Sequence, residues 1–214
     1  MRFGVLGTGT VGSAVATRLV SLGHEVRMGA REAANPKARD WAAAQGARAS
    51  AGTFAEAAAF GEVVFNCTMG TASLDALQAA GAQNLGEKVL VDVANPLDFS
   101  GKTPALSTAA AGDSLAERIQ KAFPGARVVK ALNTVTAGVM GHPEKVPGDS
   151  DLFIAGNDAD AKRRVTALLE EFGWKSVLDL GDVTAARGME AYLLLWLRLA
   201  GTLKTPNLNV RVVH

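Results

Sequence analysis

Apolar residues fall along the chain in two alternating rhythms. The first is a short, almost wholly apolar run, as at residues 2–6, 62–66 (EVVFN), 88–93 (KVLVDV) and 127–131 (RVVKA). Runs of that length predict strands buried on both faces. Runs at 25–28, 151–155 and 174–178 predict three more. The second rhythm returns every three or four residues, as in Val11, Val15, Leu19 and Leu22, or Leu115, Ile119 and Ala122. That period predicts helices, here at 11–22, 35–45, 53–59, 73–80, 114–123, 159–172 and 184–203. Boundary residues agree with it. Gly23 stands where a helix ends in glycine, Pro36 where a first turn accepts proline, and Thr53 with Glu56 forms a capping box. Strands that alternate with helices predict an α/β fold, a doubly wound parallel sheet with helices on both faces. The stretch 95–112 is a long loop, and 141–150 is a surface loop rich in Pro and Gly.

The first strand runs into Gly7, Gly9 and Gly12, and the first helix follows. A glycine triplet in that context binds a dinucleotide pyrophosphate. Gly7 allows the tight turn, Gly9 lets the phosphates approach the backbone, and Gly12 lets helix and strand pack closely. Thr8, Thr10 and Val11 offer their amides at a helix N-terminus, where anions are favoured. The bland alternative is a glycine-rich turn with no ligand.

The second strand ends in Gly29-Ala30-Arg31. An NAD site carries an acid near this point for the ribose 2′-hydroxyl. Here a guanidinium stands instead, and it suits a 2′-phosphate in charge and in its forked donors. NADP(H) is therefore expected over NAD(H). Gly29 is expected to leave room for the phosphate, Glu32 to point elsewhere, and Lys37 and Arg39 to add positive field. The competing reading makes Arg31 a solvated surface charge.

Ligands of such sheets lie beyond the carboxyl ends of the strands. Thr68 is a candidate beside the adenosine or pyrophosphate, Asn95 and Pro96 as a wall on the nicotinamide side, and Asn133 and Thr134 for a carboxamide or the acceptor. Each could equally be a turn former. Cys67 reads as a small buried apolar residue. His24, His142 and His214 share no metal-ligand spacing and complete no nucleophilic triad. Were the chain a reductase of a small carbonyl or imine, which needs a proton donor, Lys130 is the only nearby candidate, and Tyr192 reads as packing.

Composition narrows the partners. The 214 residues are 48% hydrophobic, enough for a sizeable core, and the formal net charge is +1. That charge balance gives no reason to expect nucleic acid. With one cysteine, no disulfide forms within the chain. No signal peptide or membrane-length apolar stretch is evident, so a cytoplasmic protein without a membrane partner is expected.

The glycine loop together with GHEVRMGAR, VDVANP and VVKALNT resembles the NADPH-dependent coenzyme F420 reductases. It also resembles the cytosolic oxidoreductase domains of six-transmembrane metalloreductases. The resemblance extends through LFIAGNDADAKRRVTALLEEFGW and AARGMEAYLLLWLRLA, nearly the whole chain. It implies a Rossmann domain over 1–180 and a C-terminal helix and tail over 181–214 that walls the acceptor site and contacts a second copy in a homodimer. It implies NADP(H) with coenzyme F420, FMN or FAD as acceptor. Thr8, Gly9, Thr10 and Val11 would fall on the pyrophosphate, Arg31 on the 2′-phosphate, and Thr68 and Met69 beside the cofactor. Asn133, Thr134 and Ala137 would fall near the rings, positioning them without side-chain catalysis. The F420 enzymes of archaea carry histidine at the place of Asn133 and the metalloreductase domains carry asparagine, so the resemblance fixes the donor better than the acceptor. Two further readings stay open: a non-catalytic NADPH sensor, and a reductase of another small carbonyl or imine.

Overall fold

The computed structural model describes residues 1–101, 104–107 and 112–213. His214 and part of the 95–112 stretch therefore lie outside the described residues. The first unit is β1 (Arg2–Leu6), α1 (Thr10–Ser21), β2 (Glu25–Ala30), α2 (Pro36–Gln45) and β3 (Ala49–Thr53). Next come α3 (Phe54–Phe60), β4 (Val63–Asn66), α4 (Ser73–Ala80), α5 (Ala82–Leu85) and β5 (Val89–Asp92). A two-strand hairpin, β6 (Leu97–Asp98) and β7 (Ala105–Leu106), precedes α6 (Leu115–Ala122) and β8 (Arg127–Ala131). The chain closes with α7 (Ala137–Met140), β9 (Leu152–Gly156), α8 (Ala159–Glu171), β10 (Val177–Asp179) and α9 (Ala186–Leu203).

The main sheet has the order β10-β9-β8-β5-β4-β1-β2-β3. The chain winds one way from β1 to β2 and the other way from β1 to β4, so the switch in strand order falls between β1 and β4. Two helical layers cover it. Phe3, Val5, Phe65, Val91 and Val129 face α1 and α8 in one core. Val64, Leu90 and Val128, one residue out of phase, face α3, α4 and α6 in the other. On that second side Gly4 is obligatory, because a Cβ there would lie 2.2 Å from the Ala57 carbonyl oxygen of α3.

The structure departs from the all-parallel expectation at one place. β9 runs antiparallel to β8, pairing Val129 with Gly156 and Ala131 with Ile154. The connection from β8 carries the one-turn α7, which packs on α1, and a single 3-10 turn at Pro143–Lys145, neither of them a helix that carries the chain back across the sheet. A parallel return needs a longer crossover element. β3 was not expected, because ASAGT lacks the β-branched and aromatic residues that mark strands. Its parallel ladder with β2 holds it at the edge.

Candidate functional site

A cleft of about 840 Å³ opens at the switch point. Gly7, Thr8 and Gly9 line its floor. Each glycine has a separate geometric reason to be there. Gly7 sits at φ +119°, and a Cβ would lie 2.6 Å from the Cys67 carbonyl oxygen. A Cβ on Gly12 would lie 2.1 Å from the Gly7 carbonyl oxygen, so α1 and the loop touch backbone to backbone. Around Gly9 a Cβ would meet nothing within 4 Å, which leaves the backbone open to the cleft. Gly9 is also the N-cap of α1 and supplies no side-chain cap, unlike Asn35, Thr53, Ser114 and Asp158 on α2, α3, α6 and α8. No acid sits in the first turn of α1. Its leading amides and the positive end of its dipole are thus left without a protein anion. Thr10 and Val11 open the helix, while Gly12 is buried beneath it.

Arg31 lines the same cleft and is exposed. Among the described residues its guanidinium has no hydrogen-bond or ion-pair partner. Two expectations about its neighbours need correction. Glu32 also lines the cleft instead of pointing elsewhere, though it forms no ion pair with Arg31. Gly29 does not clear space for a ligand; a Cβ there would lie 2.9 Å from Ala57 Cβ, so its role is to let α3 pack against β2. Lys37 and Arg39 do not line the cleft. The structure adds Asn35, Phe54, Asp75 and Ala76 to the lining. They arrive from α2, α3 and α4, and no local motif marks them.

Past β4, Thr68 and Met69 reach the cleft, and Met69 is 73% exposed. Cys67 is buried, and burial, aided by the Asp92 charge, pushes its thiol pKa far up, so it is inert as a nucleophile. Behind Thr68 lies a buried polar row. Asn66, Asp92 and Lys130 are in register across β4, β5 and β8. They follow Val64, Leu90 and Val128 by two residues, on the same face. Asn66 Nδ2 donates to Asp92 Oδ1 at 2.8 Å and to Ser73 Oγ at 3.0 Å. Lys130 Nζ lies 2.8 Å from Asp92 Oδ2 and 3.0 Å from Glu190 Oε1, and it also donates to the Ala94 carbonyl. Glu190 accepts in addition from the amides of Leu115 and Ala116 at the start of α6. Its carboxylate thus fastens α9 to both β8 and α6. A second tie is the fork from Arg187 to Glu117, with Nε and Nη2 at 2.8 and 2.6 Å from the two carboxylate oxygens.

This row decides the fate of Lys130 as an acid. Burial alone pulls its pKa down, but the Asp92 and Glu190 carboxylates outweigh that and hold it above the ordinary lysine value. With all three donors used and no exposed surface, Lys130 is a structural cation. Tyr192 is half-buried on α9 and its hydroxyl has no partner among the described residues.

The remaining candidates form a separate cluster that does not line the cleft. Asn95 Nδ2 donates to the Asn133 carbonyl at 2.8 Å, and Asn133 Nδ2 donates to Asn95 Oδ1 and to the Met189 carbonyl, both at 3.0 Å. Pro96 is buried beside them, where Gly70 packs against the Asn95–Pro96 peptide. Asn133 and Thr134 are buried, and Asn133 Oδ1 and Thr134 Oγ1 lack partners. Ala137 begins α7, on the side of α1. Among the described residues no three metal-binding side chains gather, and no helix is long and apolar enough to cross a membrane.

An uncapped helix and a glycine loop opening on a cleft at the switch point define a Rossmann-type nucleotide-binding protein. Sequence comparison narrows the class. The pattern of the family described as NADP oxidoreductase, coenzyme F420-dependent, matches residues 2–96. A crystal structure from Arthrobacter sp. FB24, provisionally named an F420-dependent NADP-reductase, is 46% identical, covers 99% of each chain and superposes with a TM-score of 0.93. The F420-dependent NADP reductase of Methanothermobacter marburgensis is 29% identical over 100% of this chain and 99% of its own. The metalloreductase STEAP3 of Rattus norvegicus is 32% identical over 97% of this chain, which spans only 38% of that protein's length. The chain belongs to the coenzyme F420-dependent NADP oxidoreductase family and is an NADP-dependent oxidoreductase.

Proposed function

We propose that this chain exchanges a hydride between NADP(H), held in the 840 Å³ cleft, and a deazaflavin of the coenzyme F420 type. The observation that carries the reading is the pairing, in one cleft, of an open, uncapped glycine loop with the unpartnered Arg31. The residues fit the group. Thr8, Gly9, Thr10 and Val11 would hold the pyrophosphate and Arg31 the 2′-phosphate. Thr68 and Met69 would flank the nucleotide. When bound, NADPH supplies the hydride to a flat acceptor ring.

The chain's own contribution is placement. Its interior lysine is locked in a charge network and its cysteine is inert, so neither is poised to give or take a proton. Such an arrangement suits transfer between two stacked rings, which needs proximity and exclusion of water more than acid–base help. Asn95, Pro96, Asn133, Thr134 and Ala137 would form the acceptor side, with residues 181–214 as its wall. The relatives matched over their full length are those named for F420, which favours the deazaflavin over FMN or FAD. Leu194, Leu195 and Leu203 are exposed apolar side chains on α9, and a homodimer would cover some of them.

The test is NADPH oxidation by purified protein with coenzyme F420, FMN and FAD offered separately. Turnover with F420 and little with the flavins is expected. Turnover with FMN or FAD alone would move the protein to flavin chemistry, and tight NADPH binding without turnover on any would leave a sensor.

A further inference from the structure

We propose that Thr68 meets the nucleotide as a hydrogen-bond acceptor, so that the ligand group it holds is a sugar hydroxyl and not a phosphate. The inference rests on the reading that NADP(H) occupies the cleft.

The Asp92 carboxylate is buried and ion-paired with Lys130, so it can only accept. Asn66 stands 2.8 Å from Asp92 Oδ1 and must therefore turn its nitrogen, the donor, toward it. The second N–H of that amide goes to Ser73 Oγ. Asn66 Oδ1 is left facing Thr68. The Thr68 hydroxyl donates to it at 2.6 Å, and the Thr68 backbone N–H leans on the same oxygen at 3.4 Å. A hydroxyl has one proton, and here it is committed to the interior. Ser73 Oγ, 3.0 Å from Thr68 Oγ1 and 3.2 Å from the Met69 carbonyl oxygen that it also reaches, leaves lone-pair density on the Thr68 oxygen.

Thr68 is half-buried and lines the cleft. What it offers a ligand is thus an acceptor, made more negative by the carboxylate two bonds deeper in the chain of hydrogen bonds. A phosphate brings only acceptor oxygens and would be repelled. A sugar hydroxyl brings the missing donor. The two sides of the cleft divide the nucleotide between them: donors on the glycine loop for phosphate, an acceptor on Thr68 for sugar.

Calorimetric titration of Thr68→Val, Thr68→Cys and Thr68→Ser tests this, with NADP+ and inorganic pyrophosphate as probes and each unliganded variant's melting temperature recorded. Cysteine keeps a donor for Asn66 while offering only a weak acceptor, so it serves if valine fails to fold. Valine and cysteine should weaken NADP+ binding about five-fold, the loss of one neutral hydrogen bond, and leave pyrophosphate within two-fold of wild type. Serine should bind both as wild type does. Equal weakening of both probes, or unchanged NADP+ affinity in the valine and cysteine variants, overturns the proposal. Wild-type protein that binds no NADP+ overturns the reading beneath it instead.

Discussion

Arg31 and Lys130 are two cations at strand ends of one sheet, and their surroundings are opposite. Arg31 is exposed, lines a cleft and has no partner among the described residues. Lys130 is wholly buried and engages Asp92, Glu190 and the Ala94 carbonyl. The same contrast extends to their halves of the strand-end surface. Around β1 and β2 the polar groups are left open, with an uncapped α1 and a bare Gly9. Around β5 and β8 almost every buried polar side chain among the described residues is satisfied internally, and the satisfaction serves to clamp α9 onto the sheet. Asn133 Oδ1 and Thr134 Oγ1 are the exceptions. Groups left open at a structural cost mark where ligand belongs, and groups fully paired mark where stability is made. Changes on the open side should therefore alter binding and spare the fold, and changes on the closed side should do the reverse.

The largest effect is expected from Lys130→Met, which leaves two buried carboxylates without their cation. A loss of about 3–5 kcal/mol is expected, or a fall in melting temperature of roughly 10 °C for a chain of this size. Thermal denaturation checks it, and a variant as stable as wild type would show that the buried triad is not a clamp. Within the glycine loop itself the two behaviours should separate. Gly12→Ala drives a methyl onto the Gly7 carbonyl and should destabilise by about 1–3 kcal/mol. Gly9→Ala meets no protein atom, so its melting temperature should stay at the wild-type value while NADP+ affinity falls, which calorimetry resolves.

The smallest effect concerns pH. The Arg187 guanidinium, working against burial, and the Ser114 backbone hold the Glu117 carboxyl pKa down from 4.5 to about 2. A depressed carboxyl pKa contributes stability that is present above 4.5 and lost as pH falls toward 2. The stability gap between wild type and Arg187→Ala should be widest above about pH 5 and close toward pH 2. Melting curves across that range measure it, and a gap independent of pH would contradict the assignment.

The open half was readable from sequence because it depends on local pattern. The glycine spacing, the strand before it and Arg31 after β2 are short-range features, and the loop has the tight turn read for Gly7 and the close packing read for Gly12. Thr53 and Glu56 likewise form the capping box that their spacing predicts. The closed half was not readable. Asp92, Lys130 and Glu190 are far apart in sequence and meet only through strand register and the return of α9. Lys130 consequently read as a candidate proton donor for a carbonyl or imine reductase. Gly29 misled for a related reason, since what it accommodates is Ala57 of α3 and not a ligand. β9 misled because an apolar run encodes a strand without its direction.

The central claim is that the open cation selects the nucleotide, and Arg31→Ala tests it most directly. NADPH and NADH oxidation should be measured side by side, with the melting temperature of the unliganded variant. The KM for NADPH should rise about tenfold or more through loss of a charge-assisted contact. Kinetics with NADH and thermal stability should be unchanged. Equal losses with both nucleotides, or none with either, would contradict it.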